Sequence, residues 1–342
     1  MKGANAVMTD PQALAEDAAI VGDMEKAAED LARVRNETSR IILGQQEVIA
    51  LALTAILAGG HALLVGVPGL AKTLLVTTLG TVLGLDEKRI QFTPDLMPAD
   101  IIGSEVMEED EHGRRHFRFI PGPVFAQLLM ADEINRASPR TQSALLQAMQ
   151  ERYVTVAGQR HDLPRPFHVL ATQNPLEQEG TYPLPEAQLD RFLLEIDVRY
   201  PDREAEKAML IATTGAEQTE PHRVLTAERL MRIQHLVRLM PVAEHVLNAI
   251  LDVVRAARPG TEEADPFVNE TVAWGPGPRA AQALMLGARA RALLHGRFSP
   301  SLEDVAALLD PVLRHRMAVT FSARADGITV EDVIAKLKER LA

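Results

Sequence analysis

Short runs rich in apolar residues recur between residues 36 and 200, and segments with helical spacing separate them. Apolar runs of four to eight residues are typical of strands buried on both faces of a parallel sheet. Five such strands alternating with helices predict an α/β fold with one parallel sheet between two helical layers, an αβα sandwich. We expect these strands at 62–65, 90–93, 128–131, 167–172 and 192–198.

The pattern changes on both sides of this αβα region, 36–200. Residues 1–35 are acidic and rich in alanine, and their helical spacing predicts a loosely docked helical extension. Residues 201–342 have helical spacing, which predicts a small all-α domain. Within it, 258–278 is rich in proline, glycine and acidic residues and is expected to be a connection. We expect helices at 203–214, 226–239, 242–256, 279–295, 301–313 and 330–341.

Composition narrows the class of protein. The 342 residues, 46% hydrophobic and 24% charged, are typical of a globular protein with two domains. A net charge of −11 disfavours a nucleic-acid surface, and the lack of cysteine excludes disulfides and thiolate metal sites. The apolar stretch 49–67 could span a membrane, but Gly59, Gly60 and His61 interrupt it. We therefore expect a buried helix, a turn and a strand there, and a cytoplasmic protein without a membrane span or signal peptide.

A glycine loop that ends in lysine and threonine follows the first predicted strand. Its spacing, G-x-x-x-x-A-K-T, is that of a phosphate-binding loop, in which backbone N–H groups surround an anion. Lys72 would reach the β- and γ-phosphates, and the hydroxyl of Thr73 can bind Mg²⁺. Ala71 replaces the usual second glycine, which is tolerable if the backbone there is already helical. The expected phosphate-binding residues are Gly66, Val67, Pro68, Gly69, Leu70, Ala71, Lys72, Thr73 and Leu74.

Polar side chains follow two further predicted strands. Asp132 and Glu133 come directly after 128–131, where an aspartate can hold Mg²⁺ and a glutamate can orient the water that attacks the γ-phosphate. Two carboxylates at a strand end could instead form a helix N-cap, but the preceding phosphate loop favours the catalytic role. Asn174 follows the next strand and could share the water with Glu133. Taken alone, an Asn-Pro pair favours a simple turn.

In combination, five motifs resemble those of the MoxR family of AAA+ ATPases, and the resemblance covers residues 36–342. It implies an AAA+ fold with a helical lid, binding of ATP and Mg²⁺, and a homo-oligomeric ring, usually a hexamer. It also implies chaperone-like remodelling of a protein client, with a partner that bears a von Willebrand factor A domain. The motifs are residues 66–73, 130–137, 142–151, 171–175 and 185–192.

The resemblance assigns roles to individual residues. Lys72 and Thr73 correspond to Walker A, Asp132 and Glu133 to Walker B, and Asn174 to sensor 1. Arg191 matches the arginine finger, which would reach the nucleotide of a neighbouring subunit, although an arginine paired with Asp190 or Glu186 is the plain alternative. Such an arginine neutralises charge that develops on the γ-phosphoryl group, an effect worth roughly 10³ to 10⁵ in rate in other NTPases.

Other matches are less specific. Arg279 matches sensor 2 at the start of a lid helix, although Gly277 departs from the small polar residue usual before the proline. Arg136 fits a position at the subunit boundary, but helix capping or a local ion pair is an equally good explanation. Gly44 and Gln45 would lie near the adenine, but a plain helix-start turn explains them almost as well.

Two insertions also match this branch of AAA+ proteins. Residues 97–123 correspond to the helix-2 insert, and 153–163 to the pre-sensor hairpin. Opposite charges in 108–115 flank His112 and Gly113, which predicts a hairpin whose strands attract each other. This tip is by default a solvated structural element. Our hypothesis is that it faces the ring pore or the client.

Three other functions remain open. A nucleotide-gated scaffold with little turnover would use the same pocket. A DNA-dependent motor is disfavoured by the acidic charge and by a single tryptophan, Trp274. The ATPase subunit of a metal chelatase shares the helix-2 insert. The ten histidines show no metal-binding spacing, so we assign no zinc site.

Overall fold

The computed structural model describes residues 11–109, 111–176, 180–215 and 219–341, with side chains from residue 19 onward. One five-stranded parallel sheet has the order β2-β5-β8-β1-β9. The carboxyl ends of its strands meet at one edge, where Val65 pairs with Gln173, and Gln91 with Asp132. The strands of this region are β1 (Ala62–Val65), β2 (Glu87–Gln91), β3 (Gly103–Glu109), β4 (Arg115–Pro121), β5 (Leu128–Asp132), β6 (Tyr153–Val156), β7 (Gln159–Asp162), β8 (His168–Gln173) and β9 (Leu194–Asp197).

The five sheet strands lie where the apolar runs predict them, with one informative difference. β1 has the predicted bounds, whereas β2 begins at Glu87 rather than at residue 90 and ends at Gln91. β2 is one of the two edge strands of the sheet and pairs with a strand on one side alone. It therefore accepts polar residues that a central strand would exclude. The predicted α/β sandwich is confirmed. Its helices are α1 (Pro11–Ile41), α2 (Gln46–Leu57), α3 (Lys72–Leu83), α4 (Pro98–Ile102), α5 (Pro139–Glu151) and α6 (Glu186–Leu189).

The C-terminal part is mainly helical, as predicted, but 258–278 is not merely a connection. Pro266 starts a short helix that Asp265 caps, because the Asp265 carboxylate accepts from the amide of Phe267. The next strand pairs antiparallel with a second strand about 45 residues later, a contact that no local pattern announces. The elements are α7 (Arg203–Thr214), α8 (Ala227–Leu239), α9 (Glu244–Ala256), α10 (Pro266–Thr271), β10 (Val272–Trp274), α11 (Pro278–Leu294), α12 (Leu302–Leu313), β11 (Ala318–Val319), α13 (Phe321–Ala325) and α14 (Val330–Lys338).

From residue 19 onward, where its side chains are described, the N-terminal helix packs on the rest of the fold and is not loosely docked as expected. Residues 1–10 of the expected extension lie outside the described residues. α1 continues to Ile41, past the expected boundary, and packs against α2, α3, α8 and α11. Met24, Leu31 and Val34 on its inner face are buried. Arg229 of α8 also donates to Asp23 and Asp30 of α1 at 2.6 and 2.8 Å.

The helical lid and one face of the sheet share a single hydrophobic core. Leu194 and Val198, in and just after the edge strand β9, belong to the same buried cluster as residues of α11 and α12. A second cluster with Phe92 and Phe192 fills the other face of the sheet, under α5. The lid is therefore packed directly on the αβα layer.

Both predicted insertions are antiparallel hairpins, β3 with β4 and β6 with β7. At the middle of the β3–β4 hairpin, Met107 and Phe117 face each other across the strands and are 57% and 69% exposed. Within the residues described above, no helix is both long enough and apolar enough to cross a bilayer.

Candidate functional site

The loop between β1 and α3 follows a path that glycine favours. The amide of Gly66 donates to the carbonyl of Gln173 at 3.1 Å, and a Cβ at Gly66 would lie only 2.5 Å from the carbonyl oxygen of Val198. Gly69 has φ +85°, and a Cβ there would meet nothing within 4 Å. Close packing behind Gly66 and open space beside Gly69 are what a backbone cradle for an anion requires.

Ala71 ends the loop in a left-handed conformation. Its φ of 55° and ψ of 21° correct the expectation that this backbone is already helical. A Cβ in this conformation costs about 1–2 kcal/mol, so the loop path is maintained at some expense in stability. Helix α3 begins at the next residue, and Ala71 has no polar side chain to cap it. The first N–H groups of α3 and its positive dipole end therefore face the loop, as in an anion site.

The ammonium group of Lys72 lies inside this loop. Its Nζ donates to the carbonyls of Gly66 and Val67, at 2.5 and 2.9 Å. Burial lowers the pKa of Lys72, whereas the carboxylates of Asp132 and Glu133 raise it. The loop thus combines turned backbone, an uncapped helix and a cation beside two carboxylates. This donor set fits a triphosphate with Mg²⁺.

The remaining expected loop residues differ in exposure. Pro68 and Gly69 are exposed at the loop tip, and Leu70 is buried. Thr73 and Leu74 lie in the first turn of α3, and Thr73 is partly buried.

Asp132 ends β5 and is already engaged on both carboxylate oxygens. Its Oδ1 accepts from the hydroxyl of Thr172 on β8 at 2.5 Å. Its Oδ2 accepts from Nη2 and Nε of Arg89 on β2, at 2.5 and 3.2 Å. Sequence reasoning identified Asp132 but neither partner. The expected strand began at residue 90 and so left out Arg89. If it had begun at Glu87, the alternation of side chains along an edge strand could have identified Arg89.

Glu133 follows in a left-handed conformation, with φ 54°. Its amide donates to the Thr172 hydroxyl at 2.8 Å, so Thr172 fixes both residues of the acidic pair. Its Oε2 accepts from Gln91 Nε2 at 2.7 Å and from Arg136 Nη1 at 2.9 Å. Arg136 therefore makes the local ion pair that was one of the explanations expected from the sequence.

Asn174 follows β8 and is buried at the same edge of the sheet. Its Oδ1 accepts from the amide of Leu176 at 3.1 Å, so the side chain closes the turn at Pro175. The turn that the sequence offered as the alternative is present. It places Asn174 directly after Gln173, the last residue of β8.

Gln45 connects the start of α2 to the phosphate loop. Its Nε2 donates to the carbonyl of Leu70 at 3.1 Å. Its Oε1 is buried and has no hydrogen-bond partner among the described residues. A buried amide oxygen without a partner is costly unless a ligand donor reaches it. Gly44 has φ +73°, and a Cβ there would collide with that of Ala205 at 2.2 Å, so glycine is required at this contact with α7.

Arg191 and Arg279 lie together near the amino ends of the sheet strands, on the side opposite the phosphate loop. They line a cavity of about 230 Å³ with His61, which precedes β1, and Leu193, which precedes β9. A four-residue strand is about 13 Å long, so this cavity and the phosphate loop lie one strand length apart. The structure therefore groups Arg279 with Arg191 and not with Lys72, where the expected nucleotide-binding set placed it. No local pattern predicts this, because it depends on where the lid packs.

The side chains in this cavity are only partly paired. Nη1 of Arg191 donates to the carbonyl of Leu146 at 2.6 Å, whereas its Nε is buried without a partner in the described part of the chain. Nη1 of Arg279 lies 3.4 Å from Oδ2 of Asp190. The cavity thus presents guanidinium donors that an external anion could satisfy.

Comparisons with known proteins identify the family and the fold. Residues 61–194 match the model of the ATPase family associated with various cellular activities (AAA), and residues 266–337 match that of the AAA lid domain. The crystal structure of a Cytophaga hutchinsonii protein assigned as an ATPase superposes with a TM-score of 0.87. It is 36% identical, and the match covers 95% of this chain and 98% of that one.

Two curated relatives are similar over most of their length. Chaperone MoxR1 of Mycobacterium tuberculosis is 43% identical over 312 residues, 91% of this chain and 82% of the relative. Protein MoxR of Methylorubrum extorquens is 33% identical over 315 residues, 87% of this chain and 90% of the relative. With its nucleotide-binding sheet, its lid and these relatives, the chain belongs to the MoxR family of AAA+ ATPases.

Proposed function

We propose that this chain hydrolyses ATP with Mg²⁺ at the phosphate loop and uses the reaction to remodel a protein client. The observation that carries the proposal is the position of Lys72. Its ammonium group lies within the glycine loop, at the uncapped start of α3. Burial lowers the pKa of Lys72, and the nearby carboxylates of Asp132 and Glu133 oppose this shift. Few binding sites other than a nucleotide phosphate site need this combination.

Residues of one chain would supply the first part of the chemistry. Lys72 would neutralise charge on the β- and γ-phosphates, and Glu133 would orient the attacking water and accept its proton. Asn174 would hold the same water. Thr73 and Asp132 are the residues that would bind Mg²⁺, which when bound neutralises phosphate charge. The unpartnered Oε1 of Gln45 would accept a hydrogen bond from the adenine amino group.

A second chain would supply the remaining part. Arg191 and Arg279 lie one strand length from the loop of their own chain, so each chain would offer them to the triphosphate of its neighbour. This geometry supports a closed homo-oligomer in which the phosphate loop of each subunit faces Arg191 and Arg279 of the next. The family resemblance favours a hexameric ring.

Work on a client is the third part of the proposal. A similar protein bears the name chaperone, and the exposed Met107 and Phe117 of the β3–β4 hairpin give an apolar contact for a protein chain. A partner with a von Willebrand factor A domain rests on the family resemblance alone.

Two substitutions test the hydrolytic site. Lys72→Ala should abolish binding of a fluorescent ATP analogue, and Glu133→Gln should bind it normally but release no phosphate. Lys207→Ala, on the exposed helix α7, is the matched control and should behave as the unmodified chain. Unchanged phosphate release in the Glu133→Gln protein would refute the assignment.

A nucleotide-gated scaffold with little turnover is the second candidate. Both carboxylates of the acidic pair already accept hydrogen bonds, from Arg89, Gln91 and Arg136. This favours a state in which ATP is bound but not hydrolysed. A turnover number that stays near zero with saturating client and Mg-ATP would select this function.

A further inference from the structure

Arg316 is a buried arginine at the junction of the lid and the sheet layer, 3% exposed, in the 3-10 turn after α12. Its Nη1 donates to the carbonyls of Val312 at 2.6 Å and Leu193 at 3.2 Å. Its Nη2 donates to those of Phe192 at 2.6 Å and Asp190 at 3.2 Å. Since Nε donates to a carboxylate as well, every nitrogen of this guanidinium group is bonded.

Arg316 donates hydrogen bonds to the backbone of the segment that carries Arg191. Of the four carbonyls, only that of Val312 belongs to the lid. The other three belong to residues 190, 192 and 193, on both sides of Arg191. The side chain of Phe192 is fully buried, so the segment is held from two directions. The backbone of Arg191 is therefore fixed by a residue of the lid.

One carboxylate, that of Asp190, connects Arg316 to Arg279. Oδ1 of Asp190 accepts from Nε of Arg316 at 2.8 Å, and Oδ2 of the same group lies 3.4 Å from Nη1 of Arg279. Asp190 thus stands between one buried arginine and one half-exposed arginine. Without Asp190, the guanidinium groups would repel each other across the cavity.

We propose that Arg316 is a positioning residue that, through Asp190 and the 190–193 backbone, sets Arg191 and Arg279 as a pair for the triphosphate of a neighbouring subunit. The inference deepens the proposed function and rests on its claim that these arginines act between chains. Arg316 itself touches no nucleotide. A lid movement that displaced Arg316 would withdraw both arginines from the neighbour together.

The first test measures homo-oligomers of Arg316→Gln. A displacement of about 1 Å in a catalytic group can cost about 10²-fold in rate. We expect kcat to fall by about that factor, with affinity for a fluorescent ATP analogue within about threefold of the parent. Arg316→Lys should retain part of the activity. Arg314→Gln is the matched control, because Arg314 is a largely buried arginine two residues away that pairs with Asp310 instead.

The second test mixes subunits. An Arg316→Gln subunit keeps its own loop and Glu133, and a Glu133→Gln subunit keeps its own arginines. Mixed oligomers should therefore release phosphate faster than the sum of the two homo-oligomers. A purely structural defect in Arg316→Gln would not be rescued in this way.

The same mixture with Arg191→Ala separates the two possible failures. If Arg191→Ala with Glu133→Gln shows no recovery, the claim that arginines act between subunits fails. If that pair recovers but Arg316→Gln with Glu133→Gln does not, or if Arg316→Gln alone turns over at the parent rate, the role of Arg316 is overturned. Should Arg316→Gln not fold, Asp190→Asn takes its place, because Arg316 would keep its backbone contacts there while the carboxylate that joins it to Arg279 is lost. Parent-rate turnover of Asp190→Asn, or no recovery when it is mixed with Glu133→Gln, would then overturn the role of Arg316.

Discussion

Arg89 donates to Oδ2 of Asp132 at 2.5 Å, so the carboxylate proposed for Mg²⁺ is already paired with a cation. The Arg89 side chain is 47% exposed, whereas that of Asp132 is 12% exposed. An ion pair of this kind is worth about 0.2–1 kcal/mol, which is small against the affinity of a metal–triphosphate complex. Arg89 is therefore placed to compete with the metal ion without blocking it.

Replacing Arg89 should ease metal binding. We expect Arg89→Gln to lower by about threefold the Mg²⁺ concentration that half-saturates binding of a fluorescent ATP analogue, because the competing cation is gone. Arg118→Gln, in an exposed pair with Glu108 on the insert hairpin, should leave this concentration unchanged. A higher Mg²⁺ requirement in Arg89→Gln would mean that Arg89 supports the metal site instead.

Because Ala71 has a strained backbone conformation, replacing it by glycine should stabilise the fold. Ala71→Gly removes the Cβ at φ 55° but makes the unfolded chain more flexible, so the net gain should be about 0.5–1 kcal/mol in the free energy of unfolding. Ala58→Gly is the control, since Ala58 has φ −70° and should lose a similar amount. Urea denaturation measures both. Destabilisation by Ala71→Gly would show that the loop does not hold this strain.

Three buried histidines, His61, His168 and His315, should make the protein sensitive to mild acid, because burial lowers the pKa of each ring. Burial lowers the pKa of His61 to about 3 and that of His168 to about 4. Nδ1 of His61 accepts from the amide of Val169 at 2.9 Å, which a protonated ring cannot do. The unfolded chain binds protons near pH 6.5 that the fold does not. Stability is therefore fully present above that pH and is lost as the pH falls.

At pH 5 each ring should have removed about 2 kcal/mol from the free energy of unfolding relative to pH 8. His168→Gln should flatten this decline, whereas His245→Gln, on the exposed side of α9, should not. Urea unfolding between pH 5 and 8 gives the comparison. Equal slopes for His168→Gln and the parent would contradict the neutral assignment.

Glu195 on β9 should have the opposite effect. Burial raises its pKa to about 7, against the opposing charge of Arg314. The unfolded chain releases this proton near pH 4.5, so the stabilising contribution of the protonated carboxyl is lost as the pH rises towards 7. Glu195→Gln should stabilise the fold by about 3 kcal/mol at pH 8 and not at pH 4. The side chain of Glu331 lies nearby and is half exposed, so Glu331→Gln should leave the free energy of unfolding unchanged at both pH values.

How far the sequence predicts the structure depends on whether a feature is local. β1, the phosphate loop and the acidic pair are visible because apolar runs and glycine spacing are properties of neighbouring residues. The position of Arg279 is not, because it depends on α11 packing with α2 against the edge of the sheet that holds Arg191. Arg89 was missed because an edge strand tolerates polar residues that obscure its bounds.

The central claim is that a triphosphate site is complete only when a second chain supplies Arg191. The measurement that tests it most directly is specific ATPase activity against protein concentration, with the oligomeric state read from mass photometry at each point. Activity should rise steeply as monomers assemble and then level off, and Arg191→Ala should stay about 10³-fold lower once it has assembled. Full specific activity in the monomeric range, or in assembled Arg191→Ala, would contradict the account.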